Sequence, residues 1–261
     1  GIGGAVAVHI TSIKTMALVG SDAVINLSGG TLTVKAKAAD GVTTAAEAVS
    51  TEAAGKVGVG AGIAVGVSGV DTAAGVDQKA AINTAENNPA MGIDIEASHS
   101  GKETVTAKAG SAGGVSVTPA LALDVSGVYV DAYLGEGGTG LYSSGDITVL
   151  SENEMNRAVT ADASAAGANV AAGGAFGISV VNDSSRSSLR RSVLKTSNIK
   201  VSTSSKSTMK SAVSAGAKGT RAKKSASSGG SSGSSSGDGS SDADGSDGAD
   251  GQADKGIKAG S

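Results

Sequence analysis

Side chains able to act as acid, base or nucleophile are few in this chain of 261 residues. It has two histidines, no cysteine, and 24 acidic residues spread along its length. A general base must sit within hydrogen-bond reach of the proton it removes. His9 and His99 fall at non-equivalent places in the pattern described below, so each reads as a solvent-facing or strand-filling residue rather than a base. Glycoside cleavage needs a pair of carboxyl groups at fixed separation, with aromatic shelves for the sugar rings. Here the carboxylates are scattered and Trp is absent. Tyr129, Tyr133 and Tyr142 gather in one stretch, where they would either line a shallow groove or cap apolar surface. The sequence assigns no catalytic, cofactor-binding or metal-binding residue, and the expectation is a protein that is not an enzyme.

Other local signals are weighed the same way. Gly1-Ile2-Gly3-Gly4 and Gly58-Val59-Gly60-Ala61-Gly62 have the glycine density of phosphate loops. Neither opens a helix or carries the Lys-Ser/Thr that completes such a loop, so tight backbone packing is the better reading. The acidic run Asp242 to Asp250 has the carboxylate density of a calcium loop but lacks its spacing, and reads as a solvated linker. Thr31-Leu32-Thr33 and Thr104-Val105-Thr106 have the Thr-x-Thr form of ice-binding surfaces, yet occupy non-equivalent positions and form no array. Eleven Lys or Arg lie between Arg186 and Lys224 with no acid among them. Such a run either docks on anionic surface polymers by charge or guards a terminal strand edge against aggregation.

The elements that position these residues are β-strands. Val57, Val59, Ala61, Ile63, Val65 and Val67 alternate with Gly58, Gly60, Gly62, Ala64, Gly66 and Ser68. That is the two-residue period of a strand, with one aliphatic face and one nearly bare face that lets another backbone approach closely. The hydrophobic share is 39%, but it is drawn from Ala, Val and Ile, with one Phe and three Tyr. Cores of rounded domains lean on aromatics for buried area, so a thin, layered interior is expected. No cysteine means no disulfide staple, and a net charge of −3 gives no general affinity for nucleic acid. No run reaches the roughly 18 apolar residues of a membrane span, and the opening GIGGAVAV reads as an excerpt from a longer protein.

The alternating strand recurs at Val6, Ile63, Leu121 and Phe176, at steps of 57, 58 and 55 residues. A second strand follows in each unit, at Leu32-Thr33-Val34, Ile93-Asp94-Ile95, Ile147-Thr148-Val149 and Ile199-Lys200-Val201. A shorter extended piece lies between them, Met16 to Gly20 in the first unit. Each unit closes on an Ala/Ser/Thr-rich run whose period of two favours strand over helix, and from Val105 that period runs on through Val115 and Val117. Repetition without helical crossovers points to an all-β parallel β-helix, or β-solenoid, of four imperfect units of 55–58 residues. The expected units are residues 1–57, 58–115, 116–170 and 171–219, each winding two or three coils with the aliphatic face inward. Antiparallel hairpins are the competing arrangement. Residues 220–261 are Ser/Gly/Asp low complexity and read as a disordered tail.

The frame Gly-Gly-Ala-Val-Ala-Val, then Ala-x-Leu-Gly, then Leu-Thr-Val-x-Ala is carried by residues 3–8, 17–20 and 32–36, and its start by residues 173–180. It resembles the repeats of filamentous-haemagglutinin-like and leukotoxin-type filamentous adhesins, very large bacterial surface proteins. The resemblance implies a secreted or cell-surface β-helical stalk that mediates attachment to glycans or proteins of a host or neighbouring cell. It transfers no catalytic residue. Pro119 and the Arg/Lys run depart from the frame. The alternatives are a carbohydrate-active β-helix enzyme and an autotransporter-like passenger.

Overall fold

A computed structural model describes residues 1–51, 56–137 and 140–219. They form ten strands, with no helix among the described residues. In chain order these are β1 (Ile2–Val19), β2 (Val24–Ile25), β3 (Thr31–Thr51), β4 (Val57–Val76), β5 (Ala81–Ile82), β6 (Gly92–Leu134), β7 (Leu141–Tyr142), β8 (Ile147–Leu189), β9 (Val193–Lys195) and β10 (Ile199–Gly219). All named pairings are parallel, which removes the hairpin alternative. The Ala/Ser/Thr-rich runs lie in β3 and β6, so strand was the right reading of them.

Register shows how the chain returns on itself. Ile2 pairs with Val59, Val59 with Val117 and Val117 with Ala172. In the other arm Leu32 pairs with Ile93, Ile93 with Ile147 and Ile147 with Ile199. Each unit is therefore a single circuit of two long arms, not two or three coils. The reason is strand length. β1 has 18 residues and β3 has 21, so Met16 to Val19 is the end of the first strand and not a separate piece. Two such arms with their turns use up the whole repeat.

One layer of arms comprises β1, β4 and residues 115–134 and 170–189; the other comprises β3, residues 92–112 and 147–167, and β10. At one end the layers are separated by little more than backbone. A Cβ added to Gly58, Gly60 or Gly62 would lie 2.5, 2.2 or 2.4 Å from the carbonyl oxygens of Ala112, Gly110 and Lys108. The bare face marks close packing, as the sequence suggested. It follows that the aliphatic face does not point inward there. Gly58, Gly60, Gly62, Ala64 and Gly66 are buried, while Val57 and Ile63 are exposed. Branched side chains have no room between layers this close and are turned to the outside. The parity is set at the corner. The register shifts between Gly113 and Val115, so inward residues are odd-numbered before it and even-numbered after it. The period of two thus does not run unbroken through Val115.

Outward residues of the first layer stack in ladders. Val6, Ile63, Leu121 and Phe176 form one; Val8, Val65, Leu123 and Ile178 a second; Ile10, Val67, Val125 and Val180 a third. The second layer turns Thr, Ser, Lys and Glu outward, with Lys35 held between Asp94 at 2.8 Å and Glu96 at 2.9 Å.

The interior has two apolar clusters. One, rich in Val, Ile and Leu, lies toward the turns and includes Val34, Val76, Ile82, Ile93, Ile95, Leu134 and Leu141. The other, at the close-packed end, is almost all Ala with Val105 and Val159. The short strands stack the turns, β2 on β5 and β7 on β9. Asn83, at φ 42°, ties two turns together: its Nδ2 donates to the Leu27 and Asn88 carbonyls, each at 2.8 Å, and its Oδ1 accepts from the Leu27 amide at 3.1 Å. The final strand is described as far as Gly219. It faces residues 170–189 of β8, where a Cβ added to Gly177 would lie 2.9 Å from Val213 Cγ2, yet as the last described arm it leaves Val201 and Val213 44% and 51% exposed. The Ser/Gly/Asp-rich tail and the acidic run Asp242 to Asp250 lie outside the described residues.

Candidate functional site

Between the two apolar clusters the interior is polar, because the ladders bring distant charges together. Glu103 and Arg157 are register neighbours in the second layer, as are Asp124 and Ser179 in the first. Gly66 leaves the gap that Glu103 fills, since a Cβ there would lie 3.3 Å from Glu103 Oε1. Ser68 Oγ donates to Glu103 Oε2 at 2.8 Å, and Ser179 Oγ to Asp124 Oδ2 at 2.9 Å. Arg157 grips both carboxylate oxygens of Asp183 at 2.7 Å, and its Nε donates to Ser126 Oγ at 2.7 Å. Burial, followed by the nearby Asp124 charge, pushes the Glu103 carboxyl up to about 7, against the Ser68 hydrogen bond and the Arg157 charge.

Chemically this is an acid pair with a fixed cation, the components of acid–base catalysis. Its position argues for a structural role instead. Glu103 is 1% exposed, Asp124 0% and Arg157 2%. Nearby, His99 Nε2 donates to Asp40 Oδ1 at 2.5 Å, and Nδ1 lies 2.9 Å from Asn153 Oδ1. His99 fills an interior strand position and does not face solvent. His9 is also inward and bonds Thr11. The sequence reading treated the carboxylates as scattered and missed this belt. The available signal was the spacing: Glu103 and Arg157 stand one repeat apart.

On the outside of the first layer a tyrosine strip is open to solvent. Tyr129 and Tyr133 are outward residues on one strand with Asp131 between them, and Asp131 is in register with Arg186. The Tyr133 ring lies over Gly75, where a Cβ would come within 2.6 Å of it, and its hydroxyl donates to Asp77 Oδ1 at 2.6 Å. Burial and the Asp77 carboxylate hold that hydroxyl above the ordinary phenol range. The Tyr129 hydroxyl accepts from Asn182 Nδ2 at 2.8 Å. Asp131 Oδ1 is shielded and has no hydrogen-bond partner among the described residues. Burial raises the Asp131 carboxyl, opposed by Arg186 and Arg190. Asp71, Tyr129, Asp131, Ser184 and Arg186 line a shallow groove. Tyr142 is elsewhere, in the turn strand β7, so the structure brings together two of the three tyrosines.

The described part of the basic run, Arg186 to Lys218, does not form a single patch. Arg186 belongs to the groove, while Arg191 is buried and donates to the Ala80 carbonyl at 2.7 Å and the Gly135 carbonyl at 3.1 Å. Lys206 pairs with Glu154 at 3.0 Å. The glycine-rich stretches lie within β1 and β4, facing carbonyls where they are buried, a poor setting for a phosphate. Among the described residues no group of three or more His, Cys, Asp or Glu is arranged to hold a metal ion. No helix among them is long and apolar enough to cross a membrane. No family model, curated protein or solved structure matches this chain.

Proposed function

We propose that the chain is a parallel β-solenoid segment of a bacterial surface adhesin, acting as an extracellular spacer that presents contact groups rather than as a catalyst. The observation that carries this reading is the return of the chain into register once per repeat across the described residues between Ile2 and Gly219. A fold in which each unit touches only its neighbours gains reach by adding units, and gains rigidity from the continuous ladder. The reactive groups that do converge are spent on holding the two layers together. The tyrosine strip supplies an aromatic face beside a carboxylate and a guanidinium, a combination suited to saccharide hydroxyls and ring faces. Exposed Lys residues of β10 supply a secondary contact for anionic surface polymers.

The test is binding of the purified chain to a glycan array and to intact cells, comparing wild type with Tyr129→Ala and Asp131→Asn. Retained binding in wild type, weakened on the order of tenfold in either variant, supports the reading. Turnover of a polysaccharide that Asp131→Asn abolishes would replace it with the carbohydrate-active alternative.

A further inference from the structure

The first layer leaves a broad apolar surface uncovered. Its outward positions along residues 57–67, and their register partners in the neighbouring coils, carry no charged side chain. Exposure is highest in the outer coils, with Val6 71%, Ile10 76% and Phe176 65%, and falls to 37% at Ile63 and Val125 in the middle ones. At about 3.3 Å per residue and about 4.8 Å between strands, ten residue steps and four strands span roughly 33 by 19 Å. That is about 600 Å² of flat area before side-chain relief is counted, at the upper end of what single soluble chains leave bare. It is also close to the roughly 800 Å² per partner of a standard stable interface.

We infer that this face is an interface between two copies of the chain, packed sheet to sheet. The relief is self-complementary. The ladders headed by Val6, Val8 and Ile10 are ridges. Beside them the ladder of Gly4, Ala61, Pro119 and Gly174 is lower, broken only by the Pro119 ring. A two-fold axis lying in the plane of the contact brings the two faces together, as isologous dimers require, with the lower ladder of each copy facing a ridge of the other. Aligned sheets pack their aliphatic faces about 10 Å apart in this way. Other occupants fit less well. Residues 220–261 contain one apolar side chain larger than alanine, Ile257, too little to cover the face. Peripheral membrane binders set Lys and Arg beside the apolar face. Here Lys14, on the flank, is paired with Asp71 at 3.6 Å. The inference does not depend on the adhesin reading, since it concerns only this face.

The experiment is sedimentation velocity of the full 261-residue chain across a micromolar concentration range, with Val65→Lys as the test and Thr106→Lys, on the polar face, as the control. The expected result is a wild-type dimer whose dissociation constant rises on the order of 100-fold in Val65→Lys and is unmoved in Thr106→Lys. Circular dichroism melts should be alike in all three. Because the chain has no cysteine, Val65→Cys provides a second measurement. It should form a disulfide-linked dimer under mild oxidation, and Thr106→Cys should not. A wild type monomeric at every concentration overturns the inference, as does a dimer indifferent to Val65→Lys. So does a monomer that floats with phosphatidylcholine vesicles and loses that partitioning in Val65→Lys, since the face would then be a lipid contact.

Discussion

The two faces of β4 share one backbone and one pleat and have opposite fates. The face of Gly58, Gly60, Gly62, Ala64, Gly66 and Ser68 is the interior; the face of Val57, Ile63 and Val65 is the surface. On hydrophobicity alone the assignment would be reversed, because burying a valine side chain is favourable by about 1.5–3 kcal/mol. What reverses it is space. Where one layer's carbonyls stand 2.2–2.5 Å from an added Cβ, close contact between backbones replaces side-chain burial as the source of cohesion. The aliphatic face then remains available for a second partner.

The comparison can be broken most severely on its tight side. Gly60→Ala places a methyl group against the Gly110 carbonyl and should cost more than about 4 kcal/mol, read as loss of the cooperative thermal transition. Next is the polar belt between the apolar clusters. Arg157→Met leaves Asp183 buried without its cation, and should destabilise by about 3–5 kcal/mol in urea unfolding. Asn83→Ala removes the turn-stacking hydrogen bonds and strains a left-handed residue, at a cost of about 2 kcal/mol.

Glu103 sharpens the picture through pH. Its folded carboxyl is raised to about 7 from an ordinary value of 4.5, so the native state holds this proton more tightly than the unfolded chain does. The stabilisation is complete below about pH 4.5, declines as pH rises, and is gone above about pH 7. Urea midpoints of wild type should fall across that window, and Glu103→Gln should flatten the fall. Smallest of all, Val65→Thr on the outer face should leave unfolding of the monomer within about 0.5 kcal/mol of wild type.

Much of the architecture was legible in the residues. Period two, the recurrence at Val6, Ile63, Leu121 and Phe176, and the meaning of a bare Gly face all follow from local chemistry. Three things did not. The number of coils per unit was obscured because Gly69 and Gly127 interrupt the pattern inside strands that the structure keeps continuous. The inward face was misjudged because layer separation depends on Ala and Gly in both layers at once, such as Gly60 against Gly110, which no single strand reveals. Ser68 ends that inward face, and its hydrogen bond to Glu103 likewise appears only when the two layers are brought together. The belt escaped notice because Glu103 and Arg157 sit in Thr- and Ala-rich runs and look like solvated charges until the register stacks them.

The central claim is that glycine and alanine line the interior of β4 while its aliphatic residues face out. Single cysteines at neighbouring positions, Ala64→Cys and Val65→Cys, test it by maleimide labelling in dilute solution, where the chain is monomeric. The account predicts that Cys at 65 labels at least tenfold faster than Cys at 64, and that Cys at 64 is protected until the fold opens. Protection at 65 with free labelling at 64 would contradict it.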